Sequence, residues 1–242
     1  MSLRIGLPSK GRLMDQSFAW FADHGVQIAR TGAARTYSAE AGGQDGVQIV
    51  LLSASEVPRE LAAGRLHLGV TGSDLIHEGF ADWQAEVAAL VPMGFGHADL
   101  VLAVPDAWVD VDTLDDLDAV AAAFRARHGH RLRIATKYHR LTRTFLRAHG
   151  VADYALVDSQ GATEATVRNH TAEAIADITS TGETLQANHL KILSDGLMHQ
   201  SQATLFAARS ADWSAAGAVL ARLAPGLGIA PQAVSDLVSP AL

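Results

Sequence analysis

Short apolar runs alternate with amphipathic stretches along this chain, and that rhythm limits the possible folds more than any other feature. "LRIGLP" reads as a strand and "GRLMDQSFAWFADHG" as a helix closed by Gly25. "VQIVLLSA" is a strand, and "SEVPRELAAG" a helix capped by Ser55 and closed by Gly64. "LHLGVTG" is a strand, and "SDLIHEG" a short helix with Ser73 or Asp74 as its cap. Such alternation builds mainly parallel sheets covered on both faces. Functional residues then gather at the carboxyl ends of the strands. Near Pro92 the rhythm breaks: "VAALVPMGFGHADLVLAVP" carries two apolar runs around Met93-Gly94-Phe95-Gly96 with no helix between them. A second series follows, with a helix in "DVDTLDDLDAVAAAFRARHG", strand "RLRIATKY", helix "RLTRTFLRAHG", strand "YALVDSQ", helix "TEATVRNH", strand "EAIADIT" and helix "GETLQANH". The β-rich "LKILSDGLMHQSQATLFAA" reads as a return crossing, and "ADWSAAGAVLARLA" as a helix before a short tail. Two similar series joined by two crossings predict an α/β, two-lobed chain with a cleft between the lobes that closes on a ligand. Residues 1–93 with 196–242 form lobe I, and residues 94–195 form lobe II.

Composition removes several function classes. At 242 residues and 48% hydrophobic, the chain has enough apolar surface for a real core. No run approaches about eighteen apolar residues without a charge, so no membrane span is expected. "MSLRIGLPSK" has no apolar leader core, which points to a cytoplasmic protein. The absence of cysteine excludes disulfides, thiolate metal sites and cysteine nucleophiles. A net charge of −7 disfavours nucleic acid as a partner. The same charge repels anionic substrates, so local groups must hold them. Of the three lysines, Lys10 and Lys137 directly follow predicted strands.

Four stretches carry candidate chemistry. In "DITSTGETLQANHL", Asp177 to Leu190, four hydroxyl residues, a glycine and a glutamate crowd the end of a strand. Hydroxyls and backbone N–H groups there can form an anion cradle. Gly182 lets the backbone come close to a phosphate, Thr181 and Thr184 can donate, and Asp177 can accept from sugar hydroxyls. An ordinary capped turn accounts for the same residues. "LPSKGRL" sets Lys10 and Arg12 around Gly11 at a helix start, where cations oppose the helix dipole unless they face an anion. "GVTGSDL" needs nothing beyond a helix cap. "RIATKYHRLTR" sets Lys137 after a strand and Arg140 and Arg143 on one helix face, which is also what a solvated basic face looks like. No Walker loop, nucleophile elbow, zincin or EF-hand pattern occurs.

Taken in order and spacing, "LPSKGRL", "GVTGSDL", "GFGHADLVLAVP", "RIATKY" and "DITSTGETLQANHLKIL" resemble the short form of ATP phosphoribosyltransferase, the first enzyme of histidine biosynthesis. The resemblance runs from about Leu3 to Phe206. It implies a two-lobed fold like type II periplasmic binding proteins. It also implies the joining of ATP and phosphoribosyl pyrophosphate (PRPP) to give N1-(5-phosphoribosyl)-ATP and pyrophosphate, with Mg²⁺ as cofactor. By resemblance, PRPP falls to Asp177, Ser180, Thr181, Gly182, Glu183 and Thr184. Glu164, in "GATEAT", falls to the ribose or Mg²⁺. Lys10, Gly11 and Arg12 lie near ATP or pyrophosphate, with Lys10 and Arg12 as the catalytic cations, and Gly72 and Asp74 line the ATP side. The ligands of the metal stay unassigned.

Two departures follow. Many family members carry an Arg three residues before an Asp-Ile-Pro-like motif. Here "SASEVP" puts Ser53 at the Arg position and Glu56 at the Asp, leaving Arg30, Arg35 or Arg59 as substitutes. Residues 206–242 are also too few for the long form's regulatory domain, since domains below roughly 40 residues rarely stand alone. The resemblance therefore implies a catalytic subunit, homodimeric, joined in a hetero-oligomer by a regulatory subunit that resembles a histidyl-tRNA synthetase. The competing readings are a non-catalytic two-lobed small-molecule-binding protein and a phosphoribosyltransferase for another base.

Overall fold

The structure is a computed structural model and describes residues 2–31 and 38–238. Its elements run β1 (Leu3–Pro8), α1 (Gly11–Asp23), β2 (Gln27–Arg30), β3 (Ser38–Gly42), β4 (Val47–Leu52), α2 (Val57–Ala62), β5 (Leu68–Gly72), α3 (Ser73–Gly79), α4 (Trp83–Glu86) and β6 (Val87–Pro92). There follow β7 (Ala98–Pro105), α5 (Leu114–His128), β8 (Leu132–Thr136), α6 (His139–Ala148), β9 (Tyr154–Asp158), α7 (Ala165–Arg168), β10 (Ala174–Thr179), α8 (Glu183–Ala187) and β11 (Leu190–Ser201). Last come β12 (Ala203–Ala208), α9 (Trp213–Leu223) and α10 (Pro231–Val238). Two compact units result: Met1–Gly96 with Gln202–Leu242, and His97–Ser201.

The first unit is a sheet in the order β2-β3-β4-β1-β5-β12-β6. Its centre is parallel, β1 lying between β4 and β5. Antiparallel β12 then fits between β5 and β6. Leu3, Ile5 and Leu7 alternate along β1 and are fully buried on the face that carries Phe21 of α1 and Leu220 of α9. Val57 and Leu61 of α2 and Ile76 of α3 cover the opposite face. A Cβ on Gly69 would sit 2.5 Å from Val57 Cγ1, so glycine is what lets α2 lie this close to β5. Each of these buried aliphatic side chains contributes about 1.5–3 kcal/mol.

The second unit orders its strands β11-β7-β10-β8-β9. Here β10, β8 and β9 are parallel, and β7 and β11 are antiparallel. Leu117 of α5 and Leu146 of α6 bury one face with Leu132 and Ile134. Leu185 of α8 packs on the other with Ala135 and Ile175. Helix α5 begins at Leu114 because Thr113 Oγ1 accepts from Asp116 N (3.2 Å) while Asp116 Oδ2 accepts from Thr113 N (2.9 Å). This reciprocal cap holds the Asp116 carboxyl below the usual carboxylate range, chiefly through its bond from the Thr113 hydroxyl.

Several local expectations change. Ser55 does not cap α2: the cap position is Glu56, without a side-chain bond, and the Ser55 hydroxyl pairs with Ser53 Oγ at 2.9 Å. Neither Ser73 nor Asp74 caps α3, since both lie inside its first turn and the cap position is Gly72. Strands β2 and β3, and α10 in the tail, were not foreseen. The long return strand is two strands, divided at Gln202, whose carbonyl accepts from Ser73 N (3.1 Å). No helix among the described residues is long and apolar enough to cross a membrane.

Candidate functional site

Each unit gathers its distinctive residues at the carboxyl edge of its own parallel strands. In the second unit, register sets Thr136 of β8 beside Ala176 of β10 and Asp158 of β9. The residues after those three strands therefore share an edge. Lys137 Nζ lies 3.7 Å from Asp177 Oδ1. The same oxygen accepts from Ile178 N at 2.8 Å. The sequence flagged Lys137 and Asp177 separately. Their pairing depends on β8 and β10 being neighbours, which strand order in the chain does not disclose.

Beyond Asp177 the loop builds its own turn. Thr179 Oγ1 accepts from Gly182 N at 2.9 Å, and Gly182 takes φ +77°, in the left-handed region. A Cβ there would meet nothing within 4 Å, so backbone conformation rather than crowding calls for glycine. Ser180 Oγ donates to the carbonyl of His97, the first residue of this unit, at 3.1 Å. That leaves its oxygen as an acceptor only. Thr181 Oγ1 accepts from Glu183 N (3.4 Å) and keeps its proton to donate. Thr181, Glu183 and Thr184 are exposed. Helix α8 has only five residues, so its dipole adds little, and the hydroxyls and loop amides are the main donors.

The β9–α7 loop supplies the third segment of this edge. Ser159 Oγ donates to Thr163 Oγ1 at 3.1 Å, both residues being buried, and Ala162 takes φ +47°. Glu164 follows, half-buried at the start of α7. Asp158 is bonded by His139 Nε2 (3.1 Å) and Gln160 Nε2 (2.9 Å), and the His139 bond foremost holds its carboxyl below the usual range. Thr179, Ser159 and Thr163 were not foreseen. Their signal is the density of hydroxyls beside glycines at strand ends.

In the first unit the residues after β1 and β4 meet. Ser9, Lys10, Leu51, Leu52, Ser53 and Glu56 line a hollow of about 450 Å³. Glu56 Oε2 accepts from Ser53 N at 2.9 Å and closes the turn before α2. Gly72 ends β5 and Asp74 follows it, on the other side of β1. Thr71 Oγ1 donates to Ala54 O (2.8 Å), and Asp74 is buried. Lys10, Gly11 and Arg12 are exposed at the start of α1, whose first turn holds no acidic residue. These cations oppose the dipole of a thirteen-residue helix, a small standing cost that an anion would relieve.

The possible substitutes for the arginine absent at Ser53 separate clearly. Arg30 Nη2 donates to Ser9 O at 3.2 Å, beside Lys10. Arg59 lies 3.4 Å from Glu60 and 4.0 Å from Glu56. Arg35 lies outside the described residues. No group of three or more His, Asp or Glu among the described residues could cage a metal ion.

Comparison with known proteins gives the following. The HisG family model, ATP phosphoribosyltransferase, matches residues 53–225. An ATP phosphoribosyltransferase of Cereibacter sphaeroides is 69% identical over 229 residues, covering 95% of this chain and 97% of that protein. Among solved structures, the ATP phosphoribosyl transferase (HisG:HisZ) complex from Thermotoga maritima aligns with TM-score 0.71 at 19% identity, over 96% of this chain and 98% of that one. The arginine-bound form of truncated ArgBP from T. maritima aligns with TM-score 0.51 at 13% identity, over 93% and 92%. At such identities the structural matches speak to the fold alone, which is two-lobed, α/β and like that of periplasmic binding proteins.

Proposed function

The chain belongs to the ATP phosphoribosyltransferase family, and from that premise we propose how its own residues divide the work. The reaction is the first step of histidine biosynthesis: ATP and PRPP give N1-(5-phosphoribosyl)-ATP and pyrophosphate. A bond forms from adenine N1 to the anomeric carbon, and the bond to pyrophosphate breaks with its electron pair leaving on oxygen. Such chemistry asks a protein to align two substrates and to neutralise departing charge.

PRPP binds the second unit. Its 5′-phosphate takes the Thr181 and Thr184 hydroxyls and the loop amides shaped by Gly182. Its ribose hydroxyls donate to Asp177, and Glu164 stands by the ribose. Ser180, committed to the His97 carbonyl, shapes the loop. The adenine nucleotide takes the first unit, where Lys10, Gly11 and Arg12 face phosphates and Gly72 and Asp74 flank them. Lys10 and Arg12 act as the catalytic cations, and Arg30, held at Ser9, serves the departing pyrophosphate in place of the arginine absent at Ser53. The observation that carries this division is the Lys137–Asp177 edge with its hydroxyl turn, set against the basic turn at Lys10, whose cations pair with no carboxylate among the described residues.

Mg²⁺ fits as a substrate-borne ion. It binds through one or two carboxylates plus substrate phosphates and does not need a protein cage. Glu183 and Glu164 are single carboxylates of that kind. When bound, the ion neutralises pyrophosphate charge. The chain acts as a cytoplasmic homodimer joined by a regulatory subunit; the HisG:HisZ composition of the T. maritima complex supports the regulatory partner alone.

The deciding experiment incubates the purified chain, with and without a regulatory subunit, with ATP, PRPP and Mg²⁺ while product absorbance is followed. Turnover that depends on all three supports the assignment, and none under either condition overturns it. Full activity with strong histidine inhibition from the chain alone overturns the need for a partner.

A further inference from the structure

The second unit carries a basic hollow that the reaction does not use. It measures about 630 Å³ and is lined by Arg131, Arg143, Arg147, Tyr154, Ala155 and Leu156, among others. Tyr154 begins β9, so the hollow lies along that strand, whereas the PRPP loops follow the strand's other end. All three arginines are exposed. None of their guanidinium groups has a hydrogen-bond or ion-pair partner among the described residues. In a chain of net charge −7, three uncompensated guanidinium groups on one hollow are a local reversal of sign.

The floor of the hollow decides what it suits. Strand β9 is the last strand of its sheet. Its parallel ladder to β8 begins with Leu132 N donating to Asp153 O and ends with Ser159 N donating to Thr136 O. In a regular parallel ladder the residues bonded to one neighbour alternate with those facing the other side. Tyr154, Leu156 and Asp158 therefore turn their N–H and C=O groups away from β8, toward the open edge. A small anion would use the arginines and leave that row of backbone groups unanswered. An extended peptide would use both.

The spacing agrees. Arg143 and Arg147 are four apart on α6, so their Cβ atoms stand about 5–6 Å apart. Alternate residues of a strand are about 6.6 Å apart. Acidic side chains at alternate positions of an added strand can therefore meet both guanidinium groups while the backbone pairs with β9. We propose that the open edge of β9, flanked by Arg131, Arg143 and Arg147, is a docking surface for an extended acidic segment of a partner protein, which adds a strand to this sheet.

The competing account is that the arginines only protect an open edge from pairing with other copies. The test uses an acetylated, amidated eight-residue peptide of alternating Glu and Val, and the same peptide with Lys for Glu, against the full chain labelled for amide NMR. The expected result is that the Glu peptide shifts the amides of Tyr154, Leu156 and Asp158. Its affinity should fall at least tenfold in Arg143→Gln/Arg147→Gln, while the Lys peptide shifts nothing there. Equal binding of both peptides, or shifts absent from β9, overturns the proposal. So does displacement of the Glu peptide by tripolyphosphate with no β9 amide shift, which would make this a small-anion site. Self-association of the double variant without peptide binding by the parent chain would leave edge protection as the sole role.

Discussion

The two units solve one topological problem with different materials. Each has three parallel strands, β4-β1-β5 in one and β9-β8-β10 in the other, and each places loops at their carboxyl ends. In the first unit the loops present long, exposed cationic side chains, Lys10 lining the hollow and Arg12 just beyond it in the chain. In the second they present a turn fixed by its own hydrogen bonds at Thr179 and Thr181 and by that of Ser180 to the His97 carbonyl. The difference suits two kinds of phosphate. A monoester on a sugar has one position to be read by short, directional donors. A polyphosphate that gains or loses charge during reaction is better met by long cations that can follow it.

The largest effect should come from removing the directional donors. Thr181→Ala/Thr184→Ala should lower kcat/KM for PRPP on the order of 10²–10⁴-fold, since each of the two bonds to a charged group contributes about 1.5–3 kcal/mol. The KM for ATP should hold within about twofold. Steady-state kinetics with each substrate varied checks this, and a loss carried by the ATP term would reverse the assignment of the two units. Lys10→Ala should cost about 10–100-fold in kcat/KM for ATP. The partial retention of function by Lys10→Arg would mark a point charge rather than a directional donor. Smaller still, Lys137→Met should change the KM for PRPP about 2–5-fold, the scale of a half-exposed ion pair, and a change in the KM for ATP alone would sever Lys137 from the sugar side.

The smallest difference concerns acid stability. His67, at the edge of β5, accepts from Arg4 N through Nδ1 (3.0 Å) and reaches Asp212 O through Nε2 (3.1 Å). This arrangement needs the neutral ring with its proton on Nε2. Burial first, with the charge of Arg4 adding to it, holds its pKa below the ordinary histidine value against the pull of Asp212. The second unit holds instead the half-buried pair Arg133–Glu173, with N···O 2.5 Å. There burial opposes ionisation of Glu173, but the bonds and charge of Arg133 outweigh it and leave the carboxyl below its usual range. Both folded pKa values are depressed, so both contributions are present above the unfolded pKa and fade as pH falls. The first unit should begin to weaken below about pH 6.5, the second only below about pH 4.5. Thermal melts from pH 7.5 to 4 should show the first slope flattened in His67→Gln and the second retained.

Much of this was legible in the chain. The strand–helix rhythm is written in apolar periodicity, and the basic turn stands out because cations at a helix start oppose its dipole, whereas the hydroxyl turn looks locally like an ordinary helix cap. What was hidden is hidden for physical reasons. Strand β2 is mostly exposed and its "QIAR" shows no apolar alternation. Ser55 was expected to cap α2, yet the Glu56 carboxylate bonds Ser53 N and Ser55 turns to the Ser53 hydroxyl. The Lys137–Asp177 pair and the seat of Arg30 at Ser9 both require residues distant in sequence to be adjacent in space, which no local pattern encodes.

The nested arrangement of the units bears on how the chain is made. Strand β6 has β12 as its sheet neighbour, and β12 separates it from β5. Yet β12 emerges from the ribosome only after all of residues 97–201. Domains generally fold as units during synthesis, the N-terminal ones first. Here that order is inverted: the segment translated in the middle can complete its sheet while the earlier one waits with β5 and β6 uncovered. A nascent chain that has emerged from the ribosome only as far as Gln202 should therefore hold a finished inner unit and an unfinished outer one, and the outer unit is where a chaperone would find apolar surface.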